Sequence, residues 1–123
     1  MTASGGVTAV IVSRDLRAML EHCVEHLVTA LDALDPGPHR IVVVDNASAV
    51  PYATGAAAPG PEVLRVDRHT SFAHANNLAA RAAANHYYLL LNNDVFLSRS
   101  SLREMFDVLV SEPRAGICGA RLV

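Results

Sequence analysis

The sequence predicts an α/β domain: an open, mostly parallel sheet with helices on both faces. Three observations carry that prediction. The apolar runs Val7–Val12, Ile41–Val44 and Tyr87–Leu91 are continuous and not alternating, as in strands covered on both sides. Stretches with three- and four-residue apolar spacing lie between them, as amphipathic helices require. The resulting order, β-α-β-β-α-β-α-β, is built from crossovers of the kind that join parallel strands. A length of 123 residues fits one domain.

Each element has its own local reason. Val7–Val12 is a β-branched first strand. Leu16, Met19, Leu20, Cys23, Leu27, Ala30, Leu31 and Leu34 then form one apolar stripe, and Asp35-Pro36-Gly37-Pro38 ends that helix. Ile41–Val44 is a second buried strand that stops at Asp45-Asn46. From Ala49 to Pro61 the chain is rich in Ala, Pro and Gly and reads as a surface loop, followed by a short third strand, Glu62–Val66. Ser71–Asn85 carries Phe72, Ala75, Leu78, Ala79, Ala82 and Ala83 on one side of a second helix. Tyr87–Leu91 reads as a central strand. Ser101 and Glu104 fit a capping box for a third helix, with Leu102, Met105, Phe106 and Leu109 inward. Pro113 closes that helix before a last strand, Gly116–Val123.

Composition excludes several classes of function. A hydrophobic share of 51% with 18% charged residues is too apolar for a disordered chain. The net charge is −2 and all ten cations are arginines without a cluster, which argues against nucleic-acid binding. No apolar run is long enough to span a bilayer or to form a signal core, so a cytoplasmic protein without an integral membrane segment is expected. Cys23 and Cys118 sit among apolar neighbours and are expected as reduced core thiols.

In open parallel sheets, ligands bind beyond the carboxyl ends of the strands. Three polar clusters fall at those ends: Ser13-Arg14-Asp15, Asp45-Asn46-Ala47-Ser48 and Asn92-Asn93-Asp94. Taken singly, each reads as turn chemistry, because short polar side chains bond nearby backbone. Together, on one edge, they read as a site. Asn92-Asn93-Asp94 offers hard oxygen ligands for Mg²⁺ or Mn²⁺ beside a diphosphate. Asp45 and Asn46 suit ribose hydroxyls or base edges, with Asn76 and Asn77 entering from the second helix. Arg68 or Arg14 would neutralise phosphate, or be a solvated loop cation.

Two further motifs lead elsewhere and are set aside. His22-Cys23-Val24-Glu25-His26 matches the H-x-x-E-H pattern of zinc peptidases, but burying Leu16, Cys23 and Leu27 turns His22 and Glu25 to solvent, and no third ligand follows. Gly5-Gly6 precedes the first strand, so the dinucleotide fingerprint that follows a strand is absent. The remaining histidines read as scattered surface or loop residues. A receiver-like signalling domain would need a lysine at a strand tip, and the chain has none.

Four segments in order, Val10-Ile11-Val12-Ser13, Ile41 to Ser48, Ser71 to Leu78 and Leu89 to Val95, resemble family 2 glycosyltransferases of the GT-A fold, in particular the rhamnosyltransferase-like subgroup. The ending, Gly116 to Val123, resembles the family's strand after its metal motif. The resemblance implies a nucleotide-diphospho-sugar donor, with Asp45 near the base or ribose and Asn92-Asn93-Asp94 in the place of the family's D-x-D motif. Asp94 would then hold the Mg²⁺ or Mn²⁺. Ser13, Asn46, Arg68, Asn76, Asn77, Asn92 and Asn93 complete the expected donor contacts. The usual outcome of such transfer to an acceptor hydroxyl is inversion.

Arg14-Asp15 stands where the family commonly has Tyr-Asn, and Ser71 where a glycine precedes Phe-Ala. Residues 1–123 are expected as the nucleotide-sugar-binding half alone, with no residue assigned as general base and little transfer activity by itself. The alternative is a non-catalytic module of the same fold that self-associates or assembles with a partner chain.

Overall fold

The structure, a computed structural model, describes residues 5–35, 37–52 and 60–120. Seven elements follow in chain order: β1 (Val7–Ser13), α1 (Arg17–Asp32), β2 (Arg40–Asn46), β3 (Glu62–Val66), α2 (Phe72–Ala82), β4 (Tyr87–Asn92) and α3 (Arg99–Ser111). The four strands make one parallel sheet in the order β3-β2-β1-β4. Helices lie on both faces, as the apolar patterning predicts.

The two faces are packed differently. On one, Val7, Ala9 and Ile11 of β1 meet Leu20, Cys23, Leu27 and Leu31 of α1 and Leu102 and Phe106 of α3. On the other, Val10, Val42 and Val44 meet Ala75, Ala79 and Ala83. The alanines let α2 approach the sheet closely, and the Thr8 hydroxyl fixes the helix end by donating to the Ala83 carbonyl at 2.8 Å. Burial of these side chains is worth roughly 25 cal/mol per Å² of apolar surface.

Ser13 pairs with Asp45 and Val12 with Asn92, so the strands end at nearly one level. Because every strand runs the same way, all the polar tips share one rim. Phe96, beyond the tip of β4, packs between the rings of His22 and His26, at 6.4 and 5.3 Å. Both histidines and Glu25 are exposed on α1, as expected of a solvated face.

Several expectations are corrected. Among the described residues Tyr87–Leu91 is not central: β4 pairs with β1 alone, and its residues alternate between half-buried and exposed up to Leu91. An apolar run identifies a strand but not its place in the strand order. Residues 116–120 form no strand; the rest of the expected last strand, 121–123, lies outside the described residues, as do Pro36 and positions 53–59 of the expected loop. Leu16 and Met19 leave the buried stripe: α1 begins only at Arg17, after Leu16, and Met19 in its first turn is exposed. Phe72 and Ala82 face solvent, and α2 stops at Ala82, short of Asn85.

Ser98, not Ser101, caps α3: its Oγ accepts the Ser101 N–H at 3.1 Å, one turn earlier than the expected box. Cys23 is a buried free thiol, whereas Cys118 is only half-buried. His39 is no loop bystander. Its Nδ1 accepts the Val7 N–H at 2.9 Å while Nε2 lies 2.6 Å from the Leu34 carbonyl, so a ring carrying its proton on Nε2 bridges the start of β1 and the end of α1.

Candidate functional site

The three polar clusters are joined by hydrogen bonds across the rim. Asn93 Nδ2 donates to Ser13 Oγ at 3.1 Å, linking the tips of β4 and β1. Ser13 Oγ in turn donates to the Asp15 carbonyl at 3.4 Å. The Asp15 N–H donates to Ser48 Oγ at 2.8 Å, and Asp15 Oδ1 accepts the Ala49 N–H at 2.9 Å, linking the loops after β1 and β2. A small cleft of about 190 Å³ opens between them, walled by Ser13, Asp15, Arg17, Ser48 and Tyr52. The Arg17 guanidinium stands 5.6 Å above the Tyr52 ring.

Asp45 is the hub beneath this surface. Its Oδ1 accepts the Ser48 N–H at 3.2 Å, and its Oδ2 accepts the Tyr52 N–H at 2.8 Å and Arg65 Nη1 at 2.9 Å. Arg65 Nη1 also donates to the Ser48 carbonyl at 3.0 Å. Burial is the largest single influence and pushes the carboxyl upward, but the donors from Ser48, Tyr52 and Arg65 together outweigh it, so Asp45 lies below the ordinary carboxylate range.

Asn46 is buried as well, with its amide in a reciprocal pair: Nδ2 donates to the Thr70 carbonyl and Oδ1 accepts the Thr70 N–H, each at 2.9 Å. Both side chains are thus committed within the protein, and they brace the loops that carry the exposed groups.

The other expected residues divide. Asn92 and Asp94 are exposed and Asn93 half-buried at the tip of β4; Ser13 is buried directly beside them. Asp94 has no hydrogen bond or ion pair among the described residues. Asn77 and Arg68 are exposed on α2 and on the loop before it, with no bond to the rim network. Asn76 is buried on the first turns of α2; its Nδ2 donates to the Phe72 carbonyl at 3.0 Å and its Oδ1 has no partner.

Cys23 Sγ donates to the Asn92 carbonyl at 3.6 Å, tying α1 to the β4 tip. Burial pushes that thiol up to about 11, opposed by the Val95 backbone bond and reinforced by the negative charge of Asp94.

Arg65, Tyr52 and Thr70 did not emerge from the sequence pattern. The signal for Arg65 is register: parallel pairing of β2 and β3 sets Arg65 opposite Asp45. Tyr52 and Thr70 act mainly through backbone groups, which no residue identity reveals.

The rim is also where the backbone is strained. The three non-glycine residues with positive φ among the described residues are Asp15, Leu16 and Ala47, at 57°, 56° and 58°. Leu16 is 60% exposed and precedes α1 with no side-chain cap bond. A left-handed conformation costs an L-residue about 1–2 kcal/mol, and asparagine tolerates it best. Leu16→Asn is therefore expected to raise stability by about 1 kcal/mol, read as a melting temperature higher by about 4 °C. A lowered midpoint would mean that the leucine side chain contributes packing of its own.

A parallel α/β sheet whose strand tips gather on one rim belongs to the class of open-sheet α/β domains, in which ligands bind beyond the strand ends. Within it, the family model for glycosyl transferase family 2 matches residues 8–123, and the chain belongs to that family. Among solved structures, the crystal structure of S. aureus TarS 1–349 is similar in fold, with a TM-score of 0.59 at 13% identity. The match covers 88% of this chain and 33% of that one, so the chain spans about a third of the TarS structure. No curated protein matches the sequence.

Proposed function

We propose that the rim binds a nucleotide-diphospho-sugar together with Mg²⁺ or Mn²⁺, as the donor site for inverting transfer of the sugar to an acceptor hydroxyl. The observation that supports it most is the hydrogen-bonded line from Asn93 through Ser13 and Asp15 to Ser48, with the unpaired carboxylate of Asp94 beside it. All three helices begin just after strand tips, and none has an acidic residue in its first turn. Their partial positive ends favour an anionic ligand there.

The oxygen donors at the β4 tip fit the cation. One carboxylate flanked by two amides suits an ion that keeps waters and substrate phosphates as its other ligands. Among the described residues there is no group of three or more His, Cys, Asp or Glu that could hold a metal. When bound, such an ion neutralises charge on the departing nucleoside diphosphate.

Each side chain then has a part. Asp94 would hold the cation, with Asn92 and Asn93 beside it, while Ser13 keeps Asn93 in place. Asp45 and Asn46 act as positioning residues for the loops after β2 and before α2. Arg68 and Asn77 would meet the donor only from the outer margin. No residue of this chain is assigned as the acceptor's general base, and a cytoplasmic setting is part of the reading. No helix among the described residues is long and apolar enough to cross a membrane.

Titration calorimetry with a panel of nucleoside diphosphates, with and without Mn²⁺, tests the proposal. At least one is expected to bind in a cation-dependent way. Asp94→Ala should weaken that binding by about a hundredfold while moving the melting temperature by less than about 2 °C, because the side chain is exposed and unpaired. Absence of binding in every combination would defeat the reading.

A further inference from the structure

We propose that His22 and His26, one turn apart on α1, hold a late first-row transition-metal ion of the Zn²⁺ class through their Nε2 atoms. The site is independent of the rim and of nucleotide binding. Two histidines at i and i+4 share one helix face, where their side chains are neighbours. Both are exposed, His22 with 66% of its side chain accessible. Both also contact the Phe96 ring, so the two imidazoles lie on the same side of α1.

The local acceptors decide which ring nitrogen is available. His26 Nδ1 lies 2.9 Å from the His22 carbonyl oxygen, which can only accept, so the neutral ring carries its proton on Nδ1 and keeps a lone pair on Nε2. His22 Nδ1 faces the Glu25 carboxylate at 3.8 Å, a second acceptor, which favours the same tautomer. Neither Nε2 has a hydrogen-bond partner among the described residues. Metal-bound histidines characteristically direct their other ring N–H at a backbone carbonyl or a carboxylate, and here one ring has each.

Donor chemistry selects the ion. Imidazole suits Zn²⁺, Ni²⁺ and Cu²⁺, whereas carboxylate and amide oxygens suit Mg²⁺ and Mn²⁺, so this pair and the β4 tip favour different metals. Cys23 is fully buried against the sheet and supplies no sulfur. Glu25 orients His22 and does not itself ligate, in keeping with the lack of any larger group of metal-binding side chains among the described residues. The ion therefore takes two protein ligands and completes its shell with water, unlike the three-ligand centre of a peptidase. A cavity of about 360 Å³ beside His26, walled by Glu25, Thr29, Leu97, Ser98 and Arg99, gives those waters room, and Glu25 opposes the charge of Arg99. The two rings are one turn apart only while α1 is helical, so the ion stabilises the folded chain.

Calorimetric titration with Zn²⁺ alone, in a buffer that does not bind metals, tests the site. A single ion per chain is expected, in the micromolar range and undisturbed by millimolar Mg²⁺. His22→Ala and His26→Ala should each weaken it at least about tenfold, while His69→Ala/His74→Ala leaves it unchanged. Both α1 positions are exposed, so the variants should fold. Zn²⁺ should raise the melting temperature of the wild type and of neither α1 variant, and it should shift the Nε2 but not the Nδ1 resonances of His22 and His26 in ¹⁵N spectra. No binding, binding that survives either α1 substitution, or binding lost in His69→Ala/His74→Ala would overturn the proposal.

Discussion

Asp45→Asn is expected to cost about 3 kcal/mol of stability and to lower the melting temperature by about 12 °C. The substitution keeps the shape of the side chain but removes its charge and turns one acceptor into a donor. Whichever way the new amide turns, an N–H faces donors: Ser48 N–H on one side, Tyr52 N–H and Arg65 on the other. Arg65 is about one-third exposed, so water screens its loss and the estimate stays at the low end for a buried pair.

The pH dependence has a definite sign. Because the folded carboxyl of Asp45 titrates below its ordinary value, its contribution is present above the unfolded pKa of about 3.9 and is lost as pH falls through the folded value. The Glu62 carboxyl, held down chiefly by its bond from Arg40, loses its contribution in the same acid range. Both proteins therefore weaken in acid, but the gap between wild type and Asp45→Asn should narrow there. Urea unfolding at pH 7 and below pH 4 measures both; a gap that stays constant would show that the charge of Asp45 does not stabilise the rim.

Gly6→Ala has the second large effect. A Cβ at Gly6 would lie 1.7 Å from the Pro38 carbonyl oxygen and 2.8 Å from its carbon, which are backbone atoms with no rotamer to escape into. The Gly6 carbonyl also accepts the Tyr87 N–H, so displacing this residue disturbs the entry of β1 and β4 together. A loss of about 3 kcal/mol or more is expected, measured by chemical denaturation or by loss of soluble protein at 37 °C. A near-neutral outcome would mean that the turn around Pro38 yields more easily than its contacts imply.

The sequence revealed four strands, three helices and the shared polar rim because their signals are local. Val42, Val43 and Val44 followed at once by Asp45 and Asn46 mark both a buried strand and its end. What stayed hidden depends on neighbours distant in the chain. The apolar run of β4 looks the same whether one side is covered or both, so its pairing with β1 alone among the described strands required the strand order. Asp45 and Asn46 were legible as site residues by type. Their engagement by Arg65 and Thr70, 20 and 24 residues away, was not, and it ties both side chains to neighbouring loops. Leu16 had the right spacing for the helix stripe, but its left-handed backbone takes it out of the helix. For α3, the run Ser98-Arg99-Ser100-Ser101 offered more than one cap, and burial of Leu97 beside Ser98 accompanies the one used.

The two thiols differ enough to be told apart by reagents. With its pKa near 11, Cys23 is thiolate in roughly one molecule in several thousand at pH 7.5, and it is enclosed by α1 and the sheet. Cys118 is half accessible and stands beside the cavity along β4. A maleimide dye or spin label would therefore attach at position 118 without a cysteine-free background, giving a native reporter between α3 and β4.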